Sequence, residues 1–133
     1  MQIISQLKDQ HIEQLWRLFK QEWWTNGRSI QETQAVVVGS QTCAGLVNAD
    51  KLIRFTQVLT DYTIKAFVFD IIVDKAHRGQ SSGKKLMGLG LNHEALRNVK
   101  HFELYCLLEM VPFYKKFEFS TDFGGIHLMR KIQ

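Results

Sequence analysis

The feature that most constrains the fold is segment 64–87, where a strongly apolar stretch runs into a loop of small and polar residues. Ile64–Val73 is largely apolar on both faces, which is typical of a central strand covered on each side. The loop that follows contains Gly79 and Gly83, and a helical pattern begins at the second glycine. Unpaired N–H groups at a helix start, together with the helix dipole, favour a bound anion. The sequence therefore predicts a strand, a phosphate-binding loop and a helix in succession.

Positive charge collects around this loop, because Arg78, Lys84 and Lys85 lie within or beside it. The whole chain has a formal net charge of +4 at pH 7. Its basic residues form no long run and no single helical stripe, which argues against nucleic acid as a direct partner. The charge pattern instead favours a small polyanionic ligand at the loop.

Two helices and a strand are predicted before the apolar stretch. A first strand fits Gln2–Leu7, and apolar residues at helical spacing predict a helix that is capped by Asp9 and runs to about Trp23. Ser29 and Glu32 have the spacing of a capping box, so a second helix is expected to begin there and run to Gly39.

The rest of the chain predicts a mixed sheet. Cys43–Val47, Leu52–Leu59 and Ile64–Val73 read as an antiparallel meander of three strands. A helix over Gly83–Asn98 then leads to a strand at Phe102–Leu107, and such a crossover makes that strand parallel to Ile64–Val73. The fold class is therefore α/β or α+β, with a mostly antiparallel central sheet flanked by helices. A short helix at Pro112–Phe117 and a final strand at Ile126–Ile132 complete the predicted elements.

Length and composition predict one folded domain over residues 1–133. The 133 residues are 45% hydrophobic, enough for a core, and no apolar run approaches the ~20 residues of a membrane span. The N-terminus lacks the pattern of a secretory signal, so the cytoplasm is the expected compartment. Cys43 and Cys106 have neither C-x-x-C spacing nor clustered histidines, and no metal site is expected.

The loop resembles the acetyl-CoA pyrophosphate loop of the GCN5-related N-acetyltransferases (GNAT), whose pattern is Q/R-x-x-G-x-G/A. Arg78 fills the first position and Gly83 the last, while Ser81 stands where the family normally has glycine. The preceding run from Val73 to Gly79 is similar to the family's V-D-P-x-x-R-G approach to the loop.

A second segment extends the resemblance towards the C-terminus. Residues 109–119 are similar to the family's F-Y-x-K-x-G-F pattern, with matches at Phe113-Tyr114, Lys116 and Phe119. Glu118 stands in place of the usual glycine, and the asparagine often found before the Phe-Tyr pair is absent. The two segments occur in the order and at the separation that the family has.

The resemblance implies transfer of an acetyl group from acetyl-CoA to a primary amine of a small molecule or peptide, by direct transfer in a ternary complex. Three alternatives stay open: a non-catalytic acyl-CoA-binding relative, an acetyltransferase acting on a macromolecule such as a protein or tRNA, and a protein-interaction module with no CoA site. The oligomeric state is left open as well, although homodimers are common in that family. In this fold the donor lies in a splay between the two parallel strands, which here assigns it to backbone and loop positions Ile71, Ile72, Val73, Arg78, Gly79, Gln80, Ser81, Ser82, Gly83 and Lys84.

Candidate catalytic residues follow from the same comparison and from the chemistry of the strand. Tyr114 matches the tyrosine that protonates the leaving thiolate. Asp70 is a carboxylate in the most apolar strand, where it needs a partner, and it is the candidate general base or partner of the substrate ammonium. Trp23, Trp24 and Arg28 fall at the connection of the first two helices and are the candidate acceptor-binding residues.

Overall fold

The computed structural model describes residues 1–79 and 82–133, without the side chains of Ser82, Gly83, Leu86 and Leu89. Within these residues the helices and strands up to the last helix occur in the order that the sequence predicts, with boundaries that differ in places. The elements in chain order are β1 (Gln2–Ile4), α1 (Asp9–Lys20), α2 (Ile30–Gly39), β2 (Thr42–Asn48), β3 (Lys51–Thr60), β4 (Lys65–Val73), α3 (Ser82–Leu91), β5 (His101–Glu103) and α4 (Val111–Lys115).

One sheet with strand order β1-β2-β3-β4-β5 forms the centre of the described fold. The first four strands pair antiparallel, and β5 pairs parallel to β4. The parallel pairing joins Lys65–Phe67 to His101–Glu103 and does not extend further along β4 in the described residues. The mixed, mostly antiparallel sheet predicted from the sequence is confirmed.

Apolar clusters cover both faces of the sheet. On one face α1 packs against β2, β3 and β4, and on the other face the segment after α3 packs against β3 and β4. The first cluster contains Leu15, Leu18, Phe19, Val47, Leu52, Phe55 and Ile72. The second contains Val58, Ala66, Val68, Leu96 and Val99. Because β4 contributes to both clusters, its sequence is apolar at nearly every position, as expected of a central strand.

A β-bulge interrupts the pairing of β3 with β4. Gln57 lies opposite Phe69, but Phe55 lies opposite Ile72, so β4 carries one extra residue at this point. Asp70 occupies the bulge with φ of 52°, in the left-handed region that few non-glycine residues adopt. The bulge turns the Asp70 side chain towards the α1–α2 side of the sheet, where its partners lie.

Helix α1 ends earlier than the sequence predicts, and its N-cap lies one residue before the predicted N-cap. It ends at Lys20, and the N–H of Gln21 bonds to carbonyls of the last turn, so Trp23 lies outside the helix. At the other end Lys8, not Asp9, is the N-cap, and its N–H donates to Nδ1 of buried His11 at 3.0 Å. Burial, then the charge of Lys8, lowers the pKa of His11, which keeps that nitrogen able to accept.

In the second half of the chain, several element boundaries in the structure differ from the predicted ones. Helix α3 ends at Leu91 rather than Asn98, because His93 is extended and its Nδ1 caps a separate 3₁₀ helix at Glu94–Leu96. Strands β1 and β5 are shorter than predicted. The predicted strand Ile126–Ile132 is wrong: this segment forms no strand, and its apolar side chains are exposed. Alternation produces a strand only where a sheet edge pairs with it.

No helix in the described parts of the chain is both long enough and apolar enough to cross a lipid bilayer.

Candidate active site

The parallel pairing of β4 with β5 stops after three residue pairs. After Glu103 the chain leaves the sheet, while β4 continues to Val73 with β3 on its other side only. The backbone of Ile71–Val73 on the β5 side therefore has no ladder partner among the described residues. An edge of this kind can pair with an extended amide-containing ligand.

The loop predicted as an anion site follows β4 directly. A 3₁₀ helix at Lys75–His77 leads to Gly79, whose φ of 79° is in the left-handed region. Helix α3 begins at Ser82, so its first backbone N–H groups lie at the end of the loop, and Lys84 is exposed in the first turn. The candidate residues Gln80 and Ser81 lie outside the described residues.

Arg78, the first residue of the loop pattern, is held by contacts within the chain. Its guanidinium forms an ion pair with Glu22, which follows α1. Its Nε donates to the Val73 carbonyl at 3.4 Å. These contacts join the loop to the end of α1 and compensate part of the positive charge predicted for the anion site.

Asp74 fixes the base of the same loop. It is buried, and its carboxylate accepts from Nε2 of Gln21 and contacts Nδ1 of His77, both at 2.8 Å. The Gln21 side chain also accepts from the N–H of Lys75 at 3.0 Å. Burial acts to raise the pKa of Asp74, but the hydrogen bonds from Gln21 and His77 and the charges of Lys51 and His77 outweigh burial and lower it. Asp74 therefore stabilises the fold above its unfolded-state pKa, and that contribution is lost as pH falls through the folded-state value.

Asp70 is paired, as a carboxylate in an apolar strand must be. Nη1 and Nη2 of Arg28 bind its two oxygens at 2.7 and 3.0 Å, a bidentate geometry. Gln57 donates a further short hydrogen bond to Oδ2, and Ser40 donates to Gln57. The Asp70 side chain is only 6% exposed, so these contacts offset the cost of burying its charge.

Arg28, predicted as an acceptor-binding residue, is thus fixed between the helices and the bulge. Its guanidinium also lies over the Phe19 ring, 4.6 Å from the centroid, and its carbonyl accepts from Nε1 of Trp16 at 3.0 Å. Trp23 and Trp24 lie in the turn between α1 and α2, and Trp23 is 71% exposed. The structure therefore brings Arg28 to Asp70 and leaves both tryptophans at the surface of the turn.

Tyr114 lies on α4 with its side chain buried. Its ring packs edge-on against Phe113 and Phe119, with centroid separations of 5.1 and 6.2 Å. Burial, with a smaller contribution from the thiol of Cys106, raises the pKa of Tyr114 to about 12. The phenol is therefore protonated throughout the physiological pH range, and Cys106 lies near enough to influence it.

Glu118 shows why glycine is usual at its position in the resembled pattern. Its φ of 69° lies in the left-handed region, which costs a non-glycine residue roughly 1 kcal/mol. We expect Glu118→Gly to raise the free energy of unfolding by about 1 kcal/mol in urea titration. Glu118→Ala, which keeps the strain, is the matched control and should give no gain. A Glu118→Gly variant no more stable than the alanine control would contradict the strain argument.

Three residues of this site were missed by sequence reasoning: Gln21, Glu22 and Gln57. Gln57 carried a usable signal, because it is a polar residue inside a predicted strand, Leu52–Leu59, that is rich in β-branched and aromatic residues. Gln21 and Glu22 carried none, because their partners are 53 to 56 residues away along the chain. Within the described residues, no group of three or more His, Cys, Asp or Glu side chains is placed to hold a metal ion.

Comparison with known proteins agrees with this geometry. The sequence profile of the acetyltransferase (GNAT) family matches residues 9–119. The chain is 29% identical over 76 residues to the GCN5-related N-acetyltransferase 2, chloroplastic, of Arabidopsis thaliana, a match covering 57% of this chain and 30% of that protein. The chain thus spans about a third of the curated relatives it matches.

Solved structures share the fold over most of the chain. A GNAT-family protein of Xanthomonas campestris pv. campestris superimposes with a TM-score of 0.82 at 20% identity, covering all of this chain and 94% of the other. Glucosamine-6-phosphate N-acetyltransferase of Arabidopsis thaliana gives 0.75 at 15% identity, with both chains covered completely. An aminoglycoside 6′-N-acetyltransferase complexed with coenzyme A gives 0.65 at 18% identity, covering 78% and 61% of the two chains.

Proposed function

Because the chain belongs to the acetyltransferase (GNAT) family, we propose that it transfers an acetyl group from acetyl-CoA to a primary amine of a small molecule or peptide. Transfer is direct, with donor and acceptor bound together. The observation that carries the proposal is that β4–β5 pairing stops after three residue pairs, which leaves the edge of Ile71–Val73 unpaired among the described residues, immediately before the loop that leads into α3.

Backbone and side-chain groups of this chain would form the binding site for acetyl-CoA. The unpaired backbone edge of Ile71–Val73 would bind the amide-containing arm of acetyl-CoA, and one N–H of this edge would stabilise the oxyanion. The backbone N–H groups between Gly79 and Lys84 would bind the pyrophosphate, with Lys84 adding positive charge. Acetyl-CoA supplies the acetyl group as a thioester.

Tyr114 is proposed as the group that donates a proton to the departing sulfur. Its raised pKa of about 12 keeps that proton in place between turnovers. A phenol of this pKa is a weaker acid than a thiol with a pKa near 8.5, so full transfer alone would be uphill. We therefore expect donation by Tyr114 to be coupled to loss of a proton from the acceptor nitrogen.

Asp70 as the general base stays a prediction. Arg28 binds both oxygens of its carboxylate, and among the described residues Oδ1 accepts one hydrogen bond, from Nη2 of Arg28, so it retains accepting capacity. The same contacts also give Asp70 a positioning role, because it holds the β4 bulge against the segment between α1 and α2.

One test addresses donor binding and transfer separately. Acetyl-CoA at 100-fold its Kd should stabilise the protein by ~2.7 kcal/mol, measured as a thermal shift. Release of free thiol is then measured with a panel of primary amines, with acetyl-CoA alone as the control. Amine-dependent thiol release supports the transferase. A thermal shift with no release for any amine supports the non-catalytic acyl-CoA-binding alternative, and absence of any shift contradicts the donor site itself.

The macromolecular alternative rests on the net charge of +4. It would be favoured by salt-dependent binding of tRNA or by acetylation of protein but not of free amines.

A further inference from the structure

An aromatic surface begins beside the β4 bulge and leads away from it. Phe67 and Phe69 project from the same face of β4, because alternate strand residues share a face. Their rings stack with centroids 4.5 Å apart. Tyr105, from the segment after β5, contacts both, at 5.7 and 6.2 Å. We call Phe67, Phe69 and Tyr105 the aromatic floor.

The aromatic floor shares its sheet face with the Asp70 contacts. Phe69 lies directly opposite Gln57, whose side chain bonds to Asp70 and to Ser40 beyond the end of α2. Cross-strand partners project to the same face, so the aromatic floor lies on the face of the sheet that carries the Gln57 and Ser40 contacts. Phe67 and Phe69 are half-buried and Tyr105 is 49% exposed, so ring surface remains open to a ligand.

The floor ends in an open cavity of about 440 Å³. Phe67 lines this cavity together with Gln41, Leu59, Thr60, Asp61, Lys65 and Glu103. The cavity begins about 10 Å along β4 from Asp70, given the rise of a strand over three residues. A small amine could therefore reach from the bulge to the cavity.

The charges around this cavity are already engaged. Lys65, the cation among its described lining residues, pairs with Glu103 at 2.9 Å. Asp61 accepts hydrogen bonds from the backbone N–H groups of residues 63, 64 and 65, and these bonds lower its pKa. Arg130 lies over the Tyr105 ring, 5.3 Å from the centroid. The floor and the cavity lining therefore offer ring surface beside a lysine that is already paired with a carboxylate.

From this arrangement, and resting on the proposed function, we infer that the acceptor is an aromatic primary amine, of the arylalkylamine type. Its ring lies on the aromatic floor and its nitrogen lies at the Asp70 bulge. In the reaction a C–N bond forms, the thioester C–S bond breaks, and the nitrogen loses a proton while the sulfur gains one. Stacking on three rings would favour an aryl group over a short alkyl group.

The test compares 2-phenylethylamine with ethylamine as acceptors for the full chain with acetyl-CoA. We expect kcat/KM to be about 10- to 100-fold higher for the aryl amine. Phe67→Leu keeps an apolar side chain but removes the ring, and it should lower the ratio of kcat/KM for 2-phenylethylamine to kcat/KM for ethylamine at least severalfold. Phe123→Leu, at an exposed phenylalanine outside the floor and the cavity lining, is the matched control and should keep the preference.

The outcomes separate the inference from the proposed function. Equal kcat/KM for both amines overturns the aromatic acceptor but leaves an acetyltransferase. If no amine is acetylated, the proposed function fails, and binding is measured by saturation-transfer NMR on the aryl protons of 2-phenylethylamine with coenzyme A present. Saturation transfer that Phe67→Leu abolishes would support an aryl-amine site, whereas no transfer to wild type would overturn it.

Discussion

Tyr114→Phe is expected to lower kcat about 10²–10³-fold at saturating acetyl-CoA and amine. The substitution removes only the hydroxyl proposed to donate to the leaving sulfur, and general acid catalysis contributes about that much. The phenylalanine ring can keep the edge-on contacts with Phe113 and Phe119. The acetyl-CoA thermal shift should therefore match that of wild type. Steady-state turnover is the measurement.

The control for this variant is Tyr62→Phe. Tyr62 lies in the turn between β3 and β4, where its hydroxyl donates to the Gln41 carbonyl at 3.3 Å. Its substitution should leave kcat unchanged. Turnover of Tyr114→Phe within severalfold of wild type would reject the acid role and leave Tyr114 a packing residue.

The raised pKa of Tyr114 adds a readout that does not depend on activity. Below pH 10 the phenol is protonated in both folded and unfolded chains, so it has no effect on the pH dependence of stability. Between pH 10 and about 12 the unfolded chain ionises first. Wild type should therefore lose about 2–3 kcal/mol of unfolding free energy across that interval relative to Tyr114→Phe, at 1.36 kcal/mol per pH unit. Parallel stability curves for the two proteins would show that the phenol is not desolvated.

Arg54→Met is expected to stabilise the protein by about 2–4 kcal/mol. Arg54 lies in the middle of β3, paired with Leu46 and Val73, and is 0% exposed. Its three guanidinium nitrogens have no hydrogen-bond partner among the described residues, and burial lowers its pKa. A buried charge without a partner costs several kcal/mol, whereas methionine fills a similar volume without charge. The melting temperature should rise by about 10 °C.

Arg54→Lys is the matched control, because it keeps the charge and a similar stem. It should give no stabilisation. A loss of more than about 1 kcal/mol in Arg54→Met, measured by urea unfolding, would contradict the argument and show that the guanidinium has a stabilising partner in solution. Measuring acetyl-CoA affinity of both variants would then show whether the donor is that partner.

The arrangement around β4 was largely predictable from local sequence. A strand apolar on both faces, a loop with Gly79, and a helix after it each follow from residue types that are close together in the chain. The capping box at Ser29 and Glu32 is confirmed by reciprocal hydrogen bonds of 3.0 and 3.1 Å. The requirement that Asp70 be paired was also predictable, because a carboxylate in such a strand is costly without a partner.

Element ends and partners were not predictable in the same way. Helical periodicity predicted that α1 continues to Trp23. In the structure the helix ends at Lys20, and the side chain of Gln21 bonds to Asp74 and Lys75, which follow β4. Alternation predicted a strand at Ile126–Ile132, but a strand also needs an edge to pair with. Both errors concern contacts with distant segments, on which local patterns carry no information.

The sequence by itself determined the order of the elements up to α4, the position of the loop between β4 and α3 and the residue types proposed for acyl transfer, because these depend on local periodicity, glycine placement and capping. Only the tertiary structure decided that Arg28 binds Asp70 across 42 positions, that Arg78 pairs with Glu22, and that the parallel strands part after three residue pairs. It also joined Phe67, Phe69 and Tyr105 into one surface. Such contacts arise from packing of segments far apart in the chain, and it is packing that selects among the partners that residue chemistry alone permits.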